Sequence, residues 1–272
     1  GREGNFSYFA LATAIDSDGY RHNNYSDGKD IFGNFSFDFL QNMNVTVKAG
    51  HHKDKYGLPG ALYLSQLRQG FVERKDSIYP FDHASTEDNF IDTEVSAKIG
   101  NVGQISVGGS YRNRNQPSYF YYSSGGFTES RSSLAIMALT PKLIIDTPIF
   151  GRKSNFVVGW DYYTYPTTVK TGGNSSLGPS NTDSDIDRTD NAFYINERLY
   201  PIDNLLIEAG YRRQKVRYDV DYTDLVNPVL SSSAITHQDK EAYRFSANYL
   251  LGKKGDVFIS YGRGYRFPVT DE

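Results

Sequence analysis

From Asn191 to Tyr218 the chain reads NAFYINERLYPIDNLLIEAGYRRQKVRY, two strand-like runs separated by the turn-forming stretch Pro201-Ile202-Asp203-Asn204. In the second run Leu205, Ile207, Ala209 and Tyr211 alternate with Leu206, Glu208, Gly210, Arg212 and Gln214. A period of two belongs to a sheet, so this stretch predicts a β-hairpin, and its second arm outlasts an ordinary globular strand. The pattern recurs. Phe35, Phe37 and Phe39 oppose Asn34, Ser36 and Asp38, while Val45, Val47 and Ala49 oppose Thr46, Lys48 and Gly50. Val95, Ala97 and Ile99, then Ile105, Val107, Gly109 and Tyr111, flank the turn Gly100-Asn101-Val102-Gly103. Phe156, Val158, Trp160 and Tyr162 follow, then Tyr243, Phe245, Ala247 and Tyr249, and lastly Val257, Ile259 and Tyr261 after Gly252-Lys253-Lys254-Gly255. Alternation is blurred in Asn5 to Ala14 and absent from the nearly all-apolar Arg131 to Pro141. With those two, the count is about eleven strands.

Short turns alternate with long polar stretches, expected as loops over 16–29, 53–88, 115–130, 164–189 and 223–238. The expected fold is all-β and antiparallel. Alternation alone would also suit a soluble β-sandwich. Long strands, short turns at one end, long loops at the other, and Tyr or Phe at strand ends select a transmembrane β-barrel.

Composition narrows the function classes. The 272 residues include no Cys, 22 Tyr, 17 Phe and one Trp. Without Cys there is no disulfide scaffold, Cys-ligated metal or thiol nucleophile. No run approaches the ~18 to 20 apolar residues of a membrane helix, so any crossing is made by strands. The net charge is −3 with mixed signs, which offers no field for nucleic acid. Neither a G-x-S-x-G elbow nor a P-loop is present, and no constellation points to an enzyme.

An odd strand count would end the chain at the outer surface, and Gly1 stands almost directly in a strand, so sequence is expected beyond both ends. Asp18-Gly19-Tyr20-Arg21, Tyr56-Gly57-Leu58-Pro59-Gly60-Ala61-Leu62, the hairpin Tyr194 to Tyr218, and Ser260-Tyr261-Gly262-Arg263-Gly264-Tyr265-Arg266-Phe267-Pro268 follow in that order. Together they resemble the barrel of a TonB-dependent outer-membrane receptor. The resemblance implies a barrel of about 22 strands, with residues 1–272 as roughly its first half and the N-terminal plug and remaining strands outside this sequence. It also implies a Gram-negative outer membrane, contact with its lipid and lipopolysaccharide, and energy from the TonB–ExbB–ExbD complex through the plug. The implied activity is uptake of a scarce metal chelate of siderophore, haem or cobalamin type. A passive porin, or a structural barrel sheathing a partner protein, is the alternative.

Several side chains are candidates for binding. Tyr119, Phe120, Tyr121 and Tyr122 form an aromatic run suited to flat or apolar cargo. Arg112 and Arg212 lie on polar faces, where they would attract anionic chelates or pair with acids such as Asp161 and Glu208. His51 and His52 end an apolar strand, and imidazole is a common ligand for metal or haem. Adjacent strand residues face opposite ways, so the two cannot share one site without a bulge. Asp183, Asp185, Asp187 and Asp190 have spacings that could gather oxygens around Ca²⁺ in an outer loop, although an EF-hand's Gly and terminal Glu are missing.

Overall fold

The computed structural model describes all residues except 123–124, 176–177, 253–254 and 268–272. Ser123-Ser124 of the aromatic loop, Lys253-Lys254 of the last expected turn, and Pro268 to Glu272 therefore lie outside the described residues. The strands are β1 (Arg2–Glu3), β2 (Phe6–Ser17), β3 (Ser26–Phe39), β4 (Met43–Gly57), β5 (His83–Ile99) and β6 (Gly103–Tyr121), continuing with β7 (Phe127–Ile145), β8 (Ser154–Ser175), β9 (Gly178–Ile202), β10 (Leu205–Asp224), β11 (Ser232–Leu250) and β12 (Asp256–Arg263). A short helix, α1 (Leu64–Arg68), lies between β4 and β5, and a single 3₁₀ turn, Pro228–Leu230, lies between β10 and β11. No described helix is long and apolar enough to cross a membrane. The twelve strands pair in chain order, each antiparallel to the next, in one uncrossed meander that stays open between β1 and β12. The strand beyond the expected eleven is the two-residue β1.

The register separates two faces. Phe35, Val47, Thr93, Gly109, Leu139, Tyr162 and Asn191 share one rung of the first face, and Asn34, Lys48, Asp92, Ser110, Ala138, Tyr163 and Asp190 share one rung of the second. On the first face Phe37, Val95, Val107, Met137, Phe193, Phe245 and Ile259 are exposed. A contiguous apolar surface of this extent is foreign to a soluble monomer and suits lipid. The hairpin 191–218 thus turns Ile207, Ala209 and Tyr211 outward and Glu208, Gly210 and Arg212 inward. Tyr111, Tyr162, Tyr211, Tyr243 and Tyr261 close the outer edge of the apolar band, where an aromatic girdle belongs. Above it the outward positions turn mostly polar, as in Thr164, Thr168 and Lys170 on β8.

Little of the chain is buried. Val216, Tyr218 and Phe267, flanked by Val220 and Tyr265, make one small apolar cluster on the inner face. The sheet is held by its ladder rather than by a core, as backbone groups in lipid require.

The strands run well past their expected ends. Most of 164–189 is not a loop, because β8 and β9 continue as a ribbon pairing from Ser154↔Leu199 to Ser175↔Gly178. Similarly, β6 and β7 pair up to Tyr121↔Phe127. Above the membrane both faces meet water, so the alternation that marks a strand disappears while its hydrogen bonds persist. Five prolines sit within strands, Pro179 and Pro201 near the two ends of β9; the three in strand interiors each lie at a break in one ladder: Pro117 toward β5, Pro141 toward β8 and Pro166 toward β7. Each supplies no N–H and tolerates pairing on its other side, which is how a sheet accommodates proline.

Candidate functional site

The inner face of β8 to β10 carries the densest polar chemistry. Tyr163 and Tyr165 of β8, Arg188, Asp190 and Tyr194 of β9, and Arg212, Gln214 and Tyr218 of β10 alternate inward with the rungs of the sheet. Arg188 donates to both Asp190 oxygens at 2.8 Å, and its guanidinium lies 5.1 Å from the Tyr165 ring centre and 5.4 Å from that of Tyr218. Arg212 donates to Asp161 at 2.7 Å and stands 5.7 Å from the Tyr194 ring. Guanidinium stacked on tyrosine gains from the ring's negative face, more so as water is excluded. Gln214 donates to Asp190 at 2.9 Å and accepts from the Tyr265 hydroxyl at 2.9 Å, tying the segment after β12 to this wall. Gly159 makes room for the Tyr194 ring: a Cβ there would lie 2.3 Å from its hydroxyl. The wall therefore offers aromatic faces and cations whose charge is already matched by carboxylates.

A second inner cluster lies on β4 to β6. Asp88, only 4% exposed, accepts from Arg112 Nε at 2.8 Å and from Arg114 Nε at 2.9 Å and Nη2 at 2.6 Å, and also pairs with Arg112 Nη2. Two guanidinia on one buried carboxylate satisfy its lone pairs and hold both arginines against the wall. His52 follows on the inner face, 2.6 Å from Asp30 and 3.3 Å from Asp54.

The sequence candidates divide accordingly. Arg112 and Arg212 face inward, in ion pairs with Asp88 and Asp161, whereas Glu208 is taken by Arg198 at 2.6 Å. His51 points to the outward face beside Ile31 and bonds Asn89 at 2.7 Å, so only its neighbour His52 is turned to the lumen. Phe120 and Tyr122 share the inward face, with the Tyr122 hydroxyl 2.6 Å from Thr128 Oγ1. Tyr119 and Tyr121 take the outward one, Tyr119 stacked on His83 at 4.7 Å and Tyr121 edge-on to Phe81 at 5.9 Å. The four aspartates do not stand in a loop, which corrects their expected placement. They lie in strand β9, with Asp183, Asp185 and Asp187 outward and Asp190 inward, because strand positions of unlike parity are separated by the sheet. Lys170 bonds Asp183 at 2.8 Å, and that bond raises the lysine pKa above its ordinary value. Among the described residues no three His, Cys, Asp or Glu side chains group as a metal cage.

Sequence reading missed Arg188 and Asp88. Both stand in stretches without apolar alternation, so neither could be assigned a face beforehand.

The family model described as "TonB dependent receptor-like, beta-barrel" matches residues 2–272. The chain belongs to the TonB-dependent receptor β-barrel family. Solved structures agree on the fold. The ferric citrate transporter FecA in its unliganded form superposes with a TM-score of 0.83 at 13% identity, over 96% of this chain and 39% of that one. The ferric yersiniabactin uptake receptor FyuA from Yersinia pestis gives 0.77 at 12% identity, over 94% of this chain and 41% of that one. The ferric-catecholate import receptor Fiu from E. coli K12, in its open form, gives 0.76 at 11% identity, over 96% of this chain and 50% of that one. No curated protein matches the chain in sequence. This TonB-dependent receptor barrel segment thus spans about two-fifths to half the length of those three structures.

Proposed function

We propose that the chain forms barrel wall and outer loops of an outer-membrane receptor that takes up a scarce metal chelate. A plug and the TonB–ExbB–ExbD complex would supply the energised release. The observation that carries this reading is the inner wall of β8 to β10, where Arg188 lies between Tyr165 and Tyr218 and Arg212 lies over Tyr194. Such a surface suits a large, flat or anionic complex: tyrosines contact its organic shell, and guanidinia exchange a carboxylate partner for a chelate oxygen. That the structural neighbours include a ferric citrate transporter, a ferric yersiniabactin receptor and a ferric-catecholate receptor supports an iron complex as cargo. Outward lysines and arginines above the girdle would meet the anionic groups of lipopolysaccharide.

The test is uptake by cells producing the full-length receptor, supplied with labelled ferric citrate, ferric catecholate and haem in turn. Energy-dependent accumulation of one of them, lost when the inner membrane is de-energised, is the expected result. Entry of small solutes that is independent of energy and not saturable would instead establish the passive porin.

A further inference from the structure

Two outer connections that the sequence marks by separate motifs are one interlocked structure. Arg21, in the connection from β2 to β3, reaches into the connection from β4 to β5. Its Nη1 donates to the Gly60 carbonyl at 2.5 Å, its Nη2 to those of Asp76 at 2.9 Å and Pro59 at 3.2 Å, and its Nε to Asp76 at 3.1 Å. Neighbouring residues repeat the contact: the His22 N–H donates to the Lys75 carbonyl at 2.7 Å, and Asn23 Nδ2 to those of Tyr79 and Asp82, each at 2.7 Å. The Gly57 N–H returns a bond to the Tyr25 carbonyl at 3.0 Å. A Cβ on Gly57 would stand 2.4 Å from the Asn23 carbonyl oxygen, so the close approach needs glycine.

The contacts continue beyond these two connections. Asp82, buried at the end of the second, accepts the Tyr121 N–H at 2.7 Å, while Phe81 and His83 pack on Tyr121 and Tyr119. That places the aromatic segment Tyr119 to Tyr122 at the far end of a chain of contacts beginning at Arg21. Three carbonyls surrounding one planar fork of donors is geometry that arginine supplies and lysine does not.

We infer that Arg21 is a positioning residue that joins the first three outer connections into one body, so that the segment Tyr119 to Tyr122 is held by all three. Its consequence for cargo rests on the uptake reading above; the mechanical coupling does not.

The test is amide hydrogen exchange on the intact full-length receptor in detergent, comparing wild type with Arg21→Ala, Arg21→Lys and Asp82→Ala. Arg21→Ala is expected to raise exchange at least roughly thirtyfold in 18–25, in 58–82 and in 119–122, and to leave the β8–β9 ribbon unchanged. Arg21→Lys, which keeps the charge but loses the fork, should loosen the same three segments. Asp82→Ala, which removes the side-chain acceptor of the Tyr121 N–H and keeps the backbone carbonyl, should loosen 119–122 alone. A rise confined to 18–25 and 58–82 in both Arg21 variants, with 119–122 as protected as in wild type, would overturn the inference. Chelate binding measured on the same preparations separates the two readings: a three-segment response in a receptor that binds no chelate sinks the uptake assignment and leaves the coupling standing.

Discussion

Two outer connections of this barrel are built on different principles. Between β8 and β9 the backbone pairs without interruption up to Ser175↔Gly178, and side chains such as Lys170–Asp183 at 2.8 Å and Thr168–Asp185 at 2.6 Å are additions to a ladder. Between β4 and β5 the ladder stops at Gly57↔His83, and the long connection is held by Arg21, Asn23 and Asp82 acting on backbone groups. A ladder distributes cohesion over many equivalent bonds, none decisive. A cage built on one guanidinium concentrates it. The first region should tolerate single substitutions, and the second should not.

The largest effect is expected where one buried centre holds several partners. Asp88→Asn removes the carboxylate charge shared by two partly exposed inward guanidinia and should destabilise the full receptor by about 3 kcal/mol, the upper end for hydrogen bonds to charged groups. Its unfolding midpoint in denaturant would check this. Next comes Arg21→Ala, which removes charge-assisted bonds to three carbonyls; local opening of 58–82 should become easier by roughly 2–3 kcal/mol, read as faster cleavage there by an added protease. Arg188→Ala removes stacking on two tyrosines and both bonds to the buried Asp190, which keeps the Gln214 amide as a donor, and should cost about 2 kcal/mol, visible as a weaker near-ultraviolet circular dichroism of tyrosine with the barrel intact. Lys170→Ala should be the mildest, leaving cleavage of the β8–β9 ribbon as in wild type. The raised Lys170 pKa gives the sign of its pH dependence. The pair's contribution is complete below the unfolded lysine pKa and is lost only as pH rises through the higher folded one. Protection of the ribbon should therefore be flat from neutral to mildly alkaline pH, measured by the same cleavage assay. Equal sensitivity of both connections would erase the distinction between ladder and cage.

The membrane-spanning part was legible because lipid enforces a strict rule. Ile207, Ala209 and Tyr211 had to share a face, and Glu208 and Arg212 had to take the other. Above the girdle water meets both faces, so strands of Thr, Asn, Ser and Asp read as loops, and Asp183 to Asp190 were misjudged as one. Arg212 with Asp161 was readable because both lie in alternating stretches. The Arg21 cage was not, since its partners are the carbonyls of Pro59, Gly60 and Asp76, and a backbone acceptor leaves no mark on residue identity. Proline carried more information than alternation revealed: Pro117, Pro141 and Pro166 mark where one side of a ladder is broken, and Pro141 lies in the strand whose facing the sequence left unresolved.

The most direct measurement is a binding titration of the intact full-length receptor in detergent with ferric citrate, a ferric catecholate and haem, followed by protein fluorescence quenching. Saturable binding of one of them, weakened at least tenfold by combining Phe120→Ala and Tyr122→Ala with Arg188→Ala, is the predicted result. No saturable binding of any of the three, together with steady ion conductance through the wild-type barrel in a planar bilayer, would contradict the account.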